Sequence, residues 1–267
     1  MKKYFLFLSM LTGLFLLSSI VYAGFTVTPM KFRLTEKGNS KKTCSVWIKN
    51  SAKEDVNIKI YAEDFWIEPN GNEIFKEAGT IKRSCAKWIS LEQEEMKLGA
   101  GENKNFRFEV KIPEGLQGTY WSMVFVEQTT SPQVQKLKQE GSLFSISAFQ
   151  RIGIRVYETI PNTEIKDASI DNIFVTKNEK NILKANIKFQ NNGNVVLDCN
   201  GKLEINNEKG KKVKTIKIND FRCYPDAARE ITVLIDKKLK PGTYNILSII
   251  DYGAEDLVAG EAVIEIK

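Results

Sequence analysis

Any chemistry this chain performs is done without histidine, because its 267 residues contain none. That removes the imidazole base of serine and cysteine hydrolases and the paired histidines of zinc hydrolases. No glycine-rich phosphate loop follows a strand-like segment. Carboxylates are plentiful but scattered, as in Glu92, Glu94 and Glu95, and no pair stands out as the acid and base of glycoside hydrolysis. Asn191, Asn192 and Asn194 read as turn formers rather than calcium ligands. The expectation is a protein with no enzymatic activity, no metal and no cofactor, working through surfaces and edges.

The remaining reactive groups are four cysteines, Cys44, Cys85, Cys199 and Cys223. Their spacing contains no C-x-x-C redox or zinc motif. Two lie in each half, so the simplest disulfides are Cys44–Cys85 and Cys199–Cys223, each worth roughly 3 kcal/mol if unstrained. Four buried free thiols are the alternative.

The stretch SISAFQRIGIRVYE, Ser145 to Glu158, must position the mid-chain arginines. One set of alternate residues carries Ile146, Ala148, Ile152, Ile154 and Val156; the other carries Ser145, Ser147, Phe149, Arg151, Arg155 and Tyr157. The period is that of a β-strand, but its length exceeds the usual strand of about five or six residues.

Strand-like segments fill the rest of the chain. FTVTPMKFRLT, TCSVWIKN, VNIKIYAEDF, KWISL, NFRFEVKIP and TYWSMVFVE precede the long stretch, with an Asn70-Gly71 hairpin signal between them. PQVQKLKQE, the one helix candidate, is short and polar and reads as a loop. The second half repeats the grammar from ASIDNIFVT to AVIEIK, with turns at Asn192-Gly193 and Lys209-Gly210. In both halves an alternating strand leads through a Lys/Leu/Gly turn into Gly-Thr-Tyr, at Gly118-Thr119-Tyr120 and Gly242-Thr243-Tyr244. The fold class expected is all-β, two immunoglobulin-like β-sandwich domains in tandem, with a single large barrel as the alternative. The domains are expected at 24–160 and 161–267.

Residues 1–23 have the pattern of a signal peptide: Lys2 and Lys3, an apolar run from Tyr4 to Val21, then Val21-Tyr22-Ala23 before the cleavage point. A retained membrane anchor is the competing reading. The formal charge of +6 falls to +4 when Lys2 and Lys3 leave. A balance so close to neutral, spread along the chain, is no footprint for nucleic acid. Lys209, Lys211, Lys212 and Lys214 read as solvated turn surface.

The opening FTVTPMKFRLT, the segment SVWIKNSAKEDVNIKIYAEDF, the turn LGAGENKNFRFEV, then IPEGLQGTYWSMVFVE and SISAFQRIGIRVYETIP together resemble the PapD-like periplasmic chaperones of pilus and fimbrial assembly. Ala100 stands where that family usually has Pro. The resemblance implies that the long strand lies at a sheet edge and donates alternate side chains to a subunit lacking one strand. The plugs would be Phe144, Ile146, Ala148, Ile152, Ile154 and Val156, with Gln150 interrupting the row. It also implies two basic residues that grip the subunit's C-terminal carboxylate: Arg33, and Arg155 where Lys is usual. Lys31 and Arg151 stand one strand repeat away as fallbacks. The implied location is the periplasm. The implied partners are pilus or fimbrial subunits and an outer-membrane usher, and the exposed edge invites self-association.

Two other readings compete. One is a cell-surface structural or adhesion protein built of immunoglobulin-like modules. The other is a carbohydrate-handling sandwich using Trp47, Trp66, Trp88 and Trp121, although strand-borne tryptophans are commonly core.

Overall fold

The computed structural model describes residues 24–129, 135–139, 142–146, 149–177, 179, 182–235 and 239–266; of 135–139 and 142–146 it describes the backbone alone. The expected signal segment, 1–23, lies outside the described residues. Among them, no helix is long and apolar enough to cross a membrane.

The chain is all-β, two immunoglobulin-like sandwiches in tandem. The first contains β1 (Phe25–Thr28), β2 (Lys31–Leu34), β3 (Ser40–Asn50), β4 (Val56–Ile67), β5 (Glu73–Lys76), β6 (Ile89–Leu91), β7 (Glu95–Leu98), β8 (Asn103–Ile112), β9 (Gly118–Gln128), β10 (Gln135–Gln139), β11 (Ser142–Ile146) and β12 (Arg151–Ile160). One layer has the order β1-β3-β8-β6 and the other β2-β12-β9-β4-β5, with β7 on β4. The first strand segment therefore changes layer at Pro29, which has no N–H to give to either ladder.

The second sandwich contains β13 (Ala168–Lys177), β14 (Leu183–Asn191), β15 (Leu197–Asn207), β16 (Lys212–Cys223), β17 (Ala228–Ile235), β18 (Gly242–Asp251) and β19 (Val258–Ile266). Its layers are β13-β14-β17 and β16-β15-β18-β19.

Alternation makes each core. Val46 and Ile48 on β3 and Phe106, Phe108 and Val110 on β8 face Ile58, Ile60, Val124, Val126, Ile154 and Val156 of the opposite layer. Ile187, Phe189, Leu203, Ile205, Ile246 and Ile250 do the same in the second sandwich. Each such side chain contributes about 1.5–3 kcal/mol on burial. Each core also buries one asparagine at a strand end. Asn50 Nδ2 faces the carbonyls of Glu54, Leu98 and Gly99, while its Oδ1 accepts from Ala52 N. Asn191 Nδ2 donates to Val195 O and Cys223 O, and its Oδ1 accepts from Gly193 N. Both amides tie down loop backbone that no ladder reaches.

The Gly-Thr-Tyr pair opens β9 and β18, as the repeat predicts. The two glycines differ in their surroundings. Gly118 has φ +72, and a Cβ there would lie 2.1 Å from the carbonyl oxygen of Asn194, in the second sandwich. Gly242 has φ +148 and only Tyr244 near it, at 3.9 Å. Gly118 N donates to Thr163 Oγ1, Thr119 N to Asn194 O and Asn194 Nδ2 to Thr163 O. The linker is thus stitched to both sandwiches.

Two sequence expectations change. Within PQVQKLKQE, read as a loop, Gln135–Gln139 is instead a strand, and β10 pairs with β11 from Gln135↔Ile146 to Gln139↔Ser142. The described part of the long alternating stretch falls in two elements, β11 and β12, with Phe149 and Gln150 outside both. Gln150 O still accepts from Gln128 N at 2.9 Å, next to the Arg151↔Glu127 pair. The Gln150 side chain accepts from Phe25 N at 2.8 Å and donates to Phe25 O at 2.9 Å, tying the chain to β1.

Candidate functional site

β2 and β12 run parallel, with Arg155↔Lys31, Val156↔Phe32, Tyr157↔Arg33 and Glu158↔Leu34. Side chains alternate along both, so Lys31, Arg33, Arg151, Arg155 and Tyr157 share the outer face. Ile152, Ile154 and Val156 point the other way. Ile154 and Val156 are fully buried and Ile152 packs against the same core. This corrects the expected row of plugs: these three point into the protein's own interior, because that face of β12 packs against the opposite layer of the first sandwich. Phe144 and Ile146 lie on β11, opposite Leu137 and Gln135. Ala148 lies outside the described residues.

The outer face is not left to solvent. Phe65, Trp121, Met123, Phe125 and Tyr157 form a second apolar layer that meets Tyr224 and Ala227 of the other sandwich. Phe65 meets Tyr157 and Tyr224 edge-on, and the Trp121 and Tyr224 rings are 4.8 Å apart. The hydroxyls of Tyr157 and Tyr224 are 2.8 Å apart. Gly153 lets this layer close, since a Cβ there would lie 2.0 Å from Met123 Sδ.

Arginines from both sandwiches rim this layer. Arg33 Nη2 donates to Asp198 Oδ2 at 2.6 Å, and Arg222 Nε to Asp198 Oδ1 at 2.7 Å. Arg222 Nη1 also donates to Tyr157 Oη at 3.1 Å. Their guanidinium carbons sit 5.7 and 5.4 Å from the Tyr157 ring centroid. Burial alone would raise the Asp198 pKa, but Arg222 and Arg33 outweigh it and hold the carboxyl below its usual range. A cleft of about 780 Å³ opens here, lined by Lys31, Arg33, Lys217 and Arg222 against Asp198 and Asp220. Four cations against two carboxylates make it electropositive, and Lys31 has no salt-bridge partner among the described residues.

The other predicted cations lie elsewhere on the same face. Arg155 Nη2 is 2.9 Å from both carboxylate oxygens of Glu73 on β5. Arg151 bonds Glu63 at 2.6 Å and stacks 3.5 Å from the Phe125 ring centroid. The structure thus gathers Arg33 and the fallback Lys31 in the cleft, while Arg155 and Arg151 are held against β5, β4 and β9. Arg222, Asp198 and Tyr224 escaped the sequence reading. The Arg33–Asp198 contact spans 165 residues, and no local pattern signals it.

Beside the cleft lies an open strand border. Over Arg151–Ile154, β12 pairs with β9 alone among the described residues. From Arg155 onward β2 takes the second side, where Arg155 N also donates to Met30 O. Among the described residues, β11 pairs with β10 alone.

The cysteine pairing is corrected. Cys44, Cys85, Cys199 and Cys223 are all free and buried. Cys44 lies on β3 opposite Phe108, whereas Cys85 is bonded to the other layer, its Sγ 3.0 Å from Ser122 Oγ. On β15 and β16, Cys199 opposes Phe221 and Cys223 opposes Leu197, so register sets the two thiols diagonally. Burial raises all four pKa values, to about 11 for Cys44 and about 12 for Cys85 and Cys223. The tryptophans offer no shared platform: Trp121 is 1% exposed and Trp66 stacks on it, while Trp47 is exposed on β3.

No known family profile matches the chain, and no curated protein matches it significantly. Solved structures do resemble it. A chain of the chaperone–tip adhesin complex described as vital for CFA/I fimbriae biogenesis is 16% identical, with a TM-score of 0.49, covering 90% of this chain and 98% of that one. The class 5 fimbriae chaperone CfaA is 15% identical, with a TM-score of 0.47, covering 90% and 100%. A chain of the CsuC–CsuE chaperone–tip subunit pre-assembly complex of Acinetobacter baumannii archaic Csu pili is 14% identical, with a TM-score of 0.42, covering 89% and 98%. These three solved structures, each matched over about 90% of this chain, come from work on fimbrial and pilus chaperones.

Proposed function

We propose that the chain is a periplasmic assembly chaperone for pilus or fimbrial subunits. It lends a subunit that lacks a strand the open border running from β11 into the first half of β12. It grips the subunit's C-terminal carboxylate in the cleft beside β2, through Arg33 and Lys31. Phe144 and Ile146 are the plugs retained from the expected row. An open border supplies main-chain hydrogen bonds to an added strand, and alternate side chains supply selectivity.

One observation carries this reading. The open border of β12 stops where β2 starts, at Arg155↔Lys31, and β2 runs parallel to β12. A strand added to the open half, in β2's line and direction, ends its chain at Lys31 and Arg33. Its terminal carboxylate then meets two cations. In the reverse direction a terminal ammonium would meet them, so charge selects the parallel orientation. The partners we assign are pilus or fimbrial subunits and, as a further one, an outer-membrane usher.

The test is refolding. Wild-type chain mixed with a denatured, strand-deficient fimbrial subunit should hold it in solution as a 1:1 complex, read by size-exclusion chromatography with light scattering. The double variant Phe144→Asp, Ile146→Asp should lose the complex while its own melting temperature stays. Recovery of the subunit by the variant as well as by wild type rejects the strand donation, and failure of the wild type rejects the chaperone.

A further inference from the structure

The carboxylate of Asp198 is held as a bound carboxylate ligand would be held. Each of its two oxygens accepts from a different arginine, Arg33 at 2.6 Å and Arg222 at 2.7 Å. Those arginines come from different sandwiches, and both line the cleft that opens beside the free strand border. The Asp198 side chain is itself 54% exposed, so it can turn out into water without crossing packed structure. Arg222 is anchored independently by its bond to the Tyr157 hydroxyl, so it keeps its position when its carboxylate partner changes. Arg155, by contrast, is held by both oxygens of Glu73 and does not line this cleft.

We infer that Asp198 is an internal stand-in for the subunit's terminal carboxylate, and that Arg33 and Arg222 are the two arginines the incoming group takes over. The inference rests on the carboxylate-gripping part of the proposed function and adds Arg222 as a binding residue from the second sandwich. Exchange of one carboxylate for another leaves both guanidiniums paired throughout, so no buried charge is stranded during capture or release. The tethered competitor acts at a high effective concentration and therefore lowers the affinity for a free carboxylate. It also answers the problem of an idle cationic cleft, which would otherwise attract any passing anion.

The probe is a synthetic peptide of alternating apolar residues, made once with a free C-terminal carboxylate and once as the C-terminal amide. Binding to the full chain is measured by isothermal titration calorimetry. Wild type should prefer the acid. Asp198→Asn, which keeps the shape and removes the charge, should bind the acid about tenfold more tightly than wild type and the amide equally. Arg222→Gln should shrink the acid-over-amide preference. In wild type, the carboxyl carbon resonance of Asp198 should shift on addition of the acid and stay fixed with the amide, a readout independent of how any variant folds. If wild type prefers the acid but Asp198→Asn binds it no better, and the resonance does not move, the stand-in is overturned and the carboxylate grip survives. If wild type does not distinguish acid from amide, the grip itself fails and the stand-in falls with it.

Discussion

β12 and β19 hold the same position in the two sandwiches. Each is the last strand of its unit and runs antiparallel to a strand opened by Gly-Thr-Tyr. Their surroundings differ. β19 alternates between half-buried and exposed along its whole length, with Val263 71% exposed. β12 carries buried residues on both faces, Ile154 and Val156 in its own core and Tyr157 under the second sandwich. One face buried is enough to make a strand; two faces buried make its position exact. The cleft arginines and the open border are therefore registered to each other by packing, while β19 is an ordinary sheet margin.

The largest expected effect tests that contrast directly. Ile154→Ala should destabilise by about 3 kcal/mol, and Val263→Ala by less than about 0.5 kcal/mol, in urea denaturation. Equal losses would erase the distinction between the strands. Aspartate at Ile152 or Ile154 would report unfolding rather than strand donation, which is why the refolding test uses β11.

Next comes Glu158, whose side chain points into the β12 core. Its Oε1 accepts from Glu36 N at 2.7 Å, and its Oε2 has no partner among the described residues. Burial is the main cause that raises its pKa to about 7, opposed by that bond, while Glu36, Lys42 and Cys44 are the charged and titratable groups around it. The folded state keeps a proton that the unfolded chain releases near its ordinary value of 4.5. Stability should therefore fall as pH rises from about 4.5 to about 7, by roughly 2–3 kcal/mol. Glu158→Gln should flatten that slope and be the more stable protein at pH 8. A slope unchanged in the variant would mean that the carboxyl is solvated.

A smaller effect probes the second buried face. Tyr224→Phe should cost about 1 kcal/mol by removing the hydroxyl contact with Tyr157. Tyr157→Phe in that background should add less than it does alone, because the shared bond is already gone. Full additivity would show that the two rings do not act together.

The smallest concerns Arg33. Its bond to Asp198 is exposed, with side chains 48% and 54% accessible, so Arg33→Ala should shift stability by no more than about 0.5 kcal/mol. A larger loss in thermal melts would make this arginine a structural tie between sandwiches.

Local rules made much of the fold legible. Period-two alternation marks β3, β8 and β14, whose burial follows it closely. Asn70-Gly71 sits in the connection between β4 and β5, with Gly71 at φ +97. What stayed hidden was non-local. Alternation in β12 says that one face is buried, and the aromatic cover on the other comes from Tyr224, far along the chain. Gln150 looks like a blemish in an apolar row until its amide is seen bridging to Phe25. The cysteines could be counted but their register could not, and a two-residue offset between β15 and β16 keeps Cys199 and Cys223 from facing each other. Arg33 was legible as a candidate only through the family resemblance of its segment FTVTPMKFRLT. Its partners Asp198 and Arg222 were not, since nothing near them in sequence refers to β2.

The seam at Gly118 carries a consequence for the proposed exchange of a partner. The second sandwich's backbone is pressed where a methyl group would otherwise sit, and Thr163 and Asn194 are bonded across the junction, so opening the halves like jaws would break these contacts. Under the proposed chaperone role, capture and discharge would then proceed by local replacement, one strand or one charged end succeeding another.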